Sequence, residues 1–255
     1  MALALTPLWV RILLLGIFGA IFGSFIAALV IRWPEGRSVM RGRSACDTCG
    51  RVLGVHEVIP LVSALAIGGK CRTCAAPIDP LHWRIEAMAA LIGVSAAAVL
   101  PIDLAVGAAV FGWLLLTLAA LDVRAFWLPD EVTLTLAIGG LVSGWMGMAP
   151  ALSDRLIGGA AGFATLWAIG AGYRVLRGRE GLGGGDPKML GAIGLWTGWA
   201  LLPVIVFVAA LAGLGVALFW VLTGRGVRGD DRLPLGTLMA IAAYPALVLM
   251  LGMTA

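Results

Sequence analysis

Eight blocks of apolar sequence, parted by short charged or proline-containing stretches, set the main constraint on this chain. They run near residues 8–31, 86–100, 104–121, 132–148, 156–173, 188–201, 204–222 and 235–253, and most approach the ~20 residues that a helix needs to cross a bilayer. Only Leu202 and Pro203 separate the sixth block from the seventh, so those two could run together as one; eight spans is the expectation. Hydrophobic residues make up 61% of the 255 and charged residues only 13%, against about 25% charged in a soluble domain. Backbone in lipid must satisfy its own hydrogen bonds, so the pattern predicts an all-α polytopic membrane protein with about eight transmembrane helices. A net charge of +4 would suit an acidic partner if it formed a surface patch, but the basic residues fall between apolar blocks and read as topology signals rather than a nucleic-acid surface.

The first block has no basic segment ahead of it and is followed by Arg32, Arg37, Arg41 and Arg43, the pattern of a retained signal anchor rather than a cleaved signal peptide. With the amino terminus outside, the inner segments are 32–85, 122–131, 174–187 and 223–234. Together with Lys188 they hold sixteen of the eighteen basic residues, leaving Arg11 and Arg155 elsewhere. The positive-inside rule favours this orientation over its inverse, which places the chain in a bacterial inner membrane with a periplasmic amino terminus. Trp33, Trp83 and Trp127 then lie near inner helix ends, and Trp9, Trp145 and Trp199 near outer ones, as interfacial belts require. Gly19/Gly23, Gly140/Gly144, Gly158/Gly162 and Gly194/Gly198 have the four-residue spacing that lets helix backbones approach closely. The expected organisation is a first transmembrane helix over 1–31, a cytosolic module over 32–85 and a membrane-embedded domain over 86–255.

The 32–85 module carries all four cysteines as Cys46-Asp-Thr-Cys49 and Cys71-Arg-Thr-Cys74, two CxxC knuckles separated by 21 residues. Each knuckle can place two thiolates on one ion, and the pair completes a tetrahedral four-sulfur shell, so a structural Zn2+ site in a zinc-ribbon-like loop is expected. A redox pair is the alternative, but it ordinarily uses a single CxxC in a βαβ context, which is absent. His56 and His82 are then not needed as ligands and read as polar residues on the loop surface or near the membrane.

Few carboxylates lie beside the apolar blocks. Asp122 closes the third block, and Asp186 precedes the sixth within Gly183-Gly-Gly185-Asp186-Pro-Lys188; both fall at the inner membrane edge, where an ionisable group is costly and is by default a functional candidate. Two carboxylates that meet there share a proton. One acts as base on a water while the other, protonated, polarises a carbonyl. Gly183 and Gly185 allow backbone conformations and close approach that a Cβ would block, and Pro187 is expected to push Asp186 out of the α region and to start the helix that follows. These residues, with Lys188 and Asp130, are expected to shape the site. The bland alternative makes Asp186 an N-cap and Asp122 a solvated helix end. Asp130, in Pro129-Asp130-Glu131, looks more like a helix cap than a catalytic group.

Gly183-Gly-Gly185-Asp186-Pro-Lys188-Met-Leu, continuing to Gly194-Leu-Trp196-Thr-Gly198-Trp199, resembles the GxGD motif of type IV prepilin peptidases. The segment from Leu121-Asp122 through Leu128-Pro129-Asp130 to Thr133 is similar to that family's other aspartate segment. Gly23-Ser24-Phe25, Arg32-Trp-Pro34, the paired CxxC module, Ile59-Pro60-Leu61-Val-Ser63 and Glu86 look like its long, bifunctional form. The resemblance implies an aspartic endopeptidase with Asp122 and Asp186 as catalytic pair, cutting the basic leader from type IV prepilins or pseudopilins on the cytosolic side, just after a glycine. The longer members also methylate the new amino terminus with S-adenosylmethionine. The chain departs from the family pattern at Ala27, where asparagine is usual, at Asp47, where proline is common, at Glu57, which replaces an asparagine, and in Leu233-Pro-Leu-Gly236-Thr237, a loose version of Pro-Phe-Gly-Pro.

Two other classes compete. A transporter would use Asp122 and Asp186 to relay protons or bind a cation, although such acids usually sit near the midplane between inverted repeats, and no repeat is visible. An assembly protein would use the cysteine loop for docking and would tolerate loss of either aspartate.

Overall fold

The structure, a computed structural model, describes residues 6–40, 43–46, 48–63, 68–226 and 232–254. Arg41 and Asp47, singled out above, lie outside them. Among the described residues there are eight α-helices: α1 (Leu8–Arg32), α2 (Leu81–Val99), α3 (Ile102–Ala125), α4 (Asp130–Trp145), α5 (Leu152–Arg177), α6 (Gly185–Thr197), α7 (Leu202–Leu222) and α8 (Leu235–Thr254). Each covers one apolar block, and the sixth and seventh blocks are separate helices. Five of the eight, α1, α3, α5, α7 and α8, are long and apolar enough to cross a membrane.

The other three fall short of a full span for visible reasons. The 19-residue α2 opens on His82, Arg84 and Glu86, and α4 has 16 residues. α6 has only 13, about 20 Å at 1.5 Å per residue, against a hydrocarbon layer of about 30 Å. It ends four residues before the expected 201 because Gly198 takes a left-handed φ of 72° and turns the chain.

The chain divides into two compact units, residues 1–116 and 117–255, and α3 runs from one into the other. In the first unit α1 lies along α2. A Cβ on Gly23 would stand 2.6 Å from the Glu86 Cα, and one on Gly19 would run into the Ala89 carbonyl, so this crossing requires residues without side chains. Trp113 adds a hydrogen bond to the Ala89 carbonyl (2.9 Å) and stacks on Phe22 with ring centroids 4.9 Å apart. The connection between α1 and α2 holds two 3-10 turns, at Trp33–Glu35 and Val55–Glu57, and two isolated antiparallel bridges, Ala45 to Val52 and Lys70 to Pro77.

In the second unit the short α6 is packed against α4, α5 and α8, and α7 lies against α8. Ten of the 13 residues of α6 are buried, so it is a core helix surrounded by the longer ones. Its tightest contact is with α5, where Gly158 and Gly194 meet backbone to backbone: a Cβ on Gly158 would lie 2.6 Å from the Gly194 carbonyl oxygen. Against α4, Trp196 donates from Nε1 to the Leu136 carbonyl at 2.7 Å.

Arg155 locks this arrangement. It sits in the first turn of α5 with no exposed surface. Its guanidinium donates to six oxygens at 2.8–3.0 Å, those of Gly140, Met148, Ala149, Pro150 and Leu195 on the backbone and the Ser143 hydroxyl. A charge that stood outside the topology pattern is therefore a tie between α4, the loop after it and α6.

Candidate functional site

Both aspartates belong to the second unit and both are buried. Asp122 lies in the last turn of α3 and is 5% exposed. The helix runs three residues beyond it, so it is no solvated end. Its Oδ2 accepts the Thr237 backbone N–H at 2.9 Å, and the Thr237 hydroxyl lies 3.3 Å from the same oxygen while donating to the Ala119 carbonyl at 2.9 Å.

Asp186 is 7% exposed and is the second residue of α6, inside the helix instead of before it. The expected push by Pro187 does not exclude it, because a proline in the first turn sacrifices no intrahelical bond. The Asp186 N–H reaches the Gly183 carbonyl at 3.2 Å, and its Oδ2 accepts the Gly183 N–H at 3.0 Å. The carboxylate thus reaches backward onto the glycine loop; it is not an N-cap.

Leu128 joins the two halves. Its side chain lies where a Cβ on Gly185 would come within 2.8 Å of it and one on Gly236 within 3.0 Å. Gly236 in turn abuts Asp122, and Gly185 precedes Asp186. Leu128 therefore packs against the residues that adjoin both carboxylates. The hydrogen bonds that Gly183 and Thr237 make to the two carboxylates all go to Oδ2.

The other expected shaping residues fall around this pair. Gly183 and Gly185 are not among the residues with positive φ; what they supply is room, since a Cβ on Gly183 would lie 2.9 Å from Asp186 Oδ2. Lys188 holds Asp130 with both carboxylate oxygens, at 2.7 and 2.9 Å. Asp130 is the first residue of α4 and makes no capping bond, its carboxylate being turned to Lys188 instead, so the expected cap is corrected to an exposed ion pair between α4 and α6.

The four cysteines come together in the first unit. Their sulfurs all lie within 4.8 Å of one another, with Cys46 to Cys74 at 3.8 Å and Cys49 to Cys71 at 4.0 Å. Four bonds of ~2.3 Å in a tetrahedron place sulfurs roughly 3.8 Å apart. The two knuckles have the same build: the N–H of Cys46 reaches Arg51 and that of Gly50 returns to Cys46, while Cys71 reaches Ala76 and Ala75 returns to Cys71, all at 2.9 Å. Gly50 and Ala75 close the turns with φ of 69° and 55°. Inward N–H groups favour thiolates. Those of Cys74 and Thr73 pull the Cys71 thiol down to about 6, and those of Cys49 and Thr48 lower Cys46. Despite the N–H of Ala76, burial and the three neighbouring sulfurs push Cys74 up to about 11. Four thiolates at this spacing need a cation, and the cluster can hold a metal ion. Neither His56 nor His82 is part of it; His56 meets Arg72 at 2.9 Å.

Glu57, one of the departures from the family pattern, is buried beside the cluster. It accepts from Arg51 at 2.6 Å and from the Gly54 N–H at 2.8 Å. The Arg51 guanidinium, with that N–H, holds its carboxyl down at about 2. The same unit contains a cavity of about 180 Å³ lined in part by Ser24, Glu57, Asp79, Trp83 and Glu86. Glu86 is buried, and its Oε2 takes the Leu61 N–H at 2.8 Å.

Sequence reasoning did not find Thr237, which touches Asp122. The only signal was Leu233-Pro-Leu-Gly-Thr237, a departure from the family pattern that falls at the start of α8.

Comparison with known proteins places the chain in a family. Residues 17–100 match the model of the bacterial peptidase A24 N-terminal domain, and residues 109–218 match that of the type IV leader peptidase family. A prepilin leader peptidase/N-methyltransferase of Aeromonas hydrophila is 32% identical over 265 residues, covering 94% of this chain and 91% of that protein. Proteins of the same name from Pseudomonas aeruginosa (35% identical; 80% of this chain, 71% of that one) and Burkholderia pseudomallei (38%; 78% and 64%) are similar too. No solved structure matches. With both family models matched in order and relatives aligned along nearly its whole length, the chain belongs to the type IV leader peptidase family.

Proposed function

We propose that this chain is a prepilin leader peptidase whose catalytic pair is Asp122 and Asp186. One observation carries the reading: Leu128 packs both against Gly236, which abuts the buried Asp122, and against Gly185, which precedes the buried Asp186, and each carboxylate is tied through Oδ2. In the reaction, one ionised carboxylate takes a proton from a water as its oxygen attacks the scissile carbonyl, and the other, protonated, donates a hydrogen bond to the developing oxyanion. The proton taken from the water then passes to the leaving amine as the C–N bond breaks. Water is the nucleophile, so no covalent enzyme intermediate forms. The relatives are named for prepilins, and the substrate would be a prepilin or pseudopilin carrying a basic leader before an apolar helix.

All eight helices embed in the bacterial inner membrane under this reading, with the amino terminus periplasmic and the pair at the cytosolic edge. The short α6 reaches only part-way, enclosed by its neighbours. The charge asymmetry supports this orientation, since fifteen of eighteen basic residues fall in the segments it makes cytosolic and Lys188 lies beside one of them. The four-cysteine cluster holds a structural Zn2+.

The second activity in the relatives' name is N-methylation, and in this reading its methyl donor is S-adenosylmethionine. When bound it supplies an electrophilic methyl group, and the cavity of the first unit fits such a group: Glu86 offers a buried carboxylate for a sulfonium cation and Trp83 an aromatic face. Calorimetric binding of S-adenosylmethionine to the purified chain, weakened by Glu86→Gln, checks that placement; equal affinity of the two would refute it.

The peptidase reading is tested by co-expression with a prepilin. Asp122→Asn and Asp186→Asn should each accumulate in the membrane yet leave the leader uncut. Normal processing by both would sink the proposal.

A further inference from the structure

The amino-terminal turn of α8 makes a contact that no family motif announced. We infer that Thr237 is a positioning residue for Asp122: it docks α8 on the last turn of α3 and occupies Asp122 Oδ2, so that Oδ1 is the oxygen presented to the reacting water or carbonyl. The inference rests on the reading of Asp122 as catalytic.

Three observations carry it. The first N–H groups of a helix have no partner within it. In α8 the Leu238 N–H is tied back to Pro234, while that of Thr237 goes to Asp122 Oδ2 at 2.9 Å. The carboxylate therefore caps a helix other than its own.

The second observation concerns the hydroxyl, which has one hydrogen and can also accept. Its neighbours are the Ala119 carbonyl at 2.9 Å and Asp122 Oδ2 at 3.3 Å. When Asp122 is ionised, the hydroxyl hydrogen can turn to Oδ2. When Oδ1 has taken a proton, Oδ2 is left as a weaker, carbonyl-type acceptor and the hydroxyl hydrogen can stay on the Ala119 carbonyl. A carboxyl that takes and returns a proton passes through both states, and this hydroxyl serves both without movement of a heavy atom.

Clearance is the third. A Cβ on Gly236 would lie 3.0 Å from Asp122 Oδ2 and 3.0 Å from Leu128 Cδ2, so only glycine leaves the carboxylate its path to Thr237. In the segment that 234–237 resembles, proline stands at the position of Thr237, and proline offers neither the N–H nor the hydroxyl.

The test is steady-state cleavage of a purified prepilin by the purified full chain in detergent, with Asp122→Asn as reference. Thr237→Val keeps the backbone N–H and the side-chain shape but loses the hydroxyl. It should lower kcat roughly tenfold, the cost of one hydrogen bond to a reacting charge, with KM unchanged. Thr237→Ser should return kcat to within about twofold of the parent. Gly236→Ala, which displaces the carboxylate by a different route, should also lower kcat. A Thr237→Val protein as active as the parent, beside an inactive Asp122→Asn, would overturn the role of Thr237 alone. A raised KM with kcat unchanged would overturn it too, by assigning Thr237 to substrate binding. An active Asp122→Asn would instead remove the catalytic reading beneath it.

Discussion

Arg155 carries a positive charge into the interior with no carboxylate among its hydrogen-bond partners; six backbone and hydroxyl oxygens spread the charge instead. Arginine suits the place because its planar fork offers five donors at fixed angles, where lysine offers three from one point. Arg155→Met should leave several carbonyls without donors and destabilise the protein by about 3 kcal/mol, visible as a lower thermal midpoint in detergent. Arg155→Lys should recover only part of it, and a Met variant as stable as the parent would show the network to be unimportant. The exposed Lys188–Asp130 pair is a different case: Asp130→Asn should cost less than about 1 kcal/mol, despite the good geometry. In the sequence, Arg155 was only a stray charge and Thr237 only a departure from a motif. Thr237 reaches residues 115 and 118 positions away, and Arg155 adds to its nearer partners Leu195, 40 positions on; no local pattern encodes those contacts.

Among the elements, α6 does most to make the site. It is too short to span a membrane and is held on three sides, so Asp186 at its start moves only if the packing moves. Gly194→Val would push side-chain atoms into the Gly158 backbone and separate α5 from α6. Overpacking of this kind costs about 1–3 kcal/mol, and cleavage should fall along with stability, whereas Gly172→Val, on α5 with nothing within 4 Å of its Cβ position, should change neither. Equal behaviour of the two variants would count against the contact. The existence of all eight helices was legible from the apolar blocks, and the four-residue glycine spacing flagged close crossings, though not which helices meet. Helix ends were less legible: α3 continues past Asp122 and α6 begins at Gly185, because polar residues at a helix end lower the hydropathy of a block without ending the helix.

At the scale of the whole molecule, the first unit carries a four-cysteine cluster able to hold a metal ion and the second carries two buried aspartates. The CxxC spacing alone announces the cysteine module, since four thiolates in paired knuckles have few other uses. The purified chain should hold about one zinc ion, from the ligand count of a closed four-sulfur site, and Cys46→Ser/Cys71→Ser should lose it. A metal-free parent would refute the site. The aspartates were legible as two charges beside apolar blocks, but their proposed meeting was not, because it rests on Leu128, Gly185 and Gly236 converging from separate segments. That meeting is the central claim, and the rate of leader cleavage by purified Asp122→Asn, Asp186→Asn and the double variant tests it most directly. If the two carboxylates act as one unit, each single substitution abolishes cleavage and the double is no worse than either. Independent, multiplying losses, or substantial cleavage by either single variant, would contradict it.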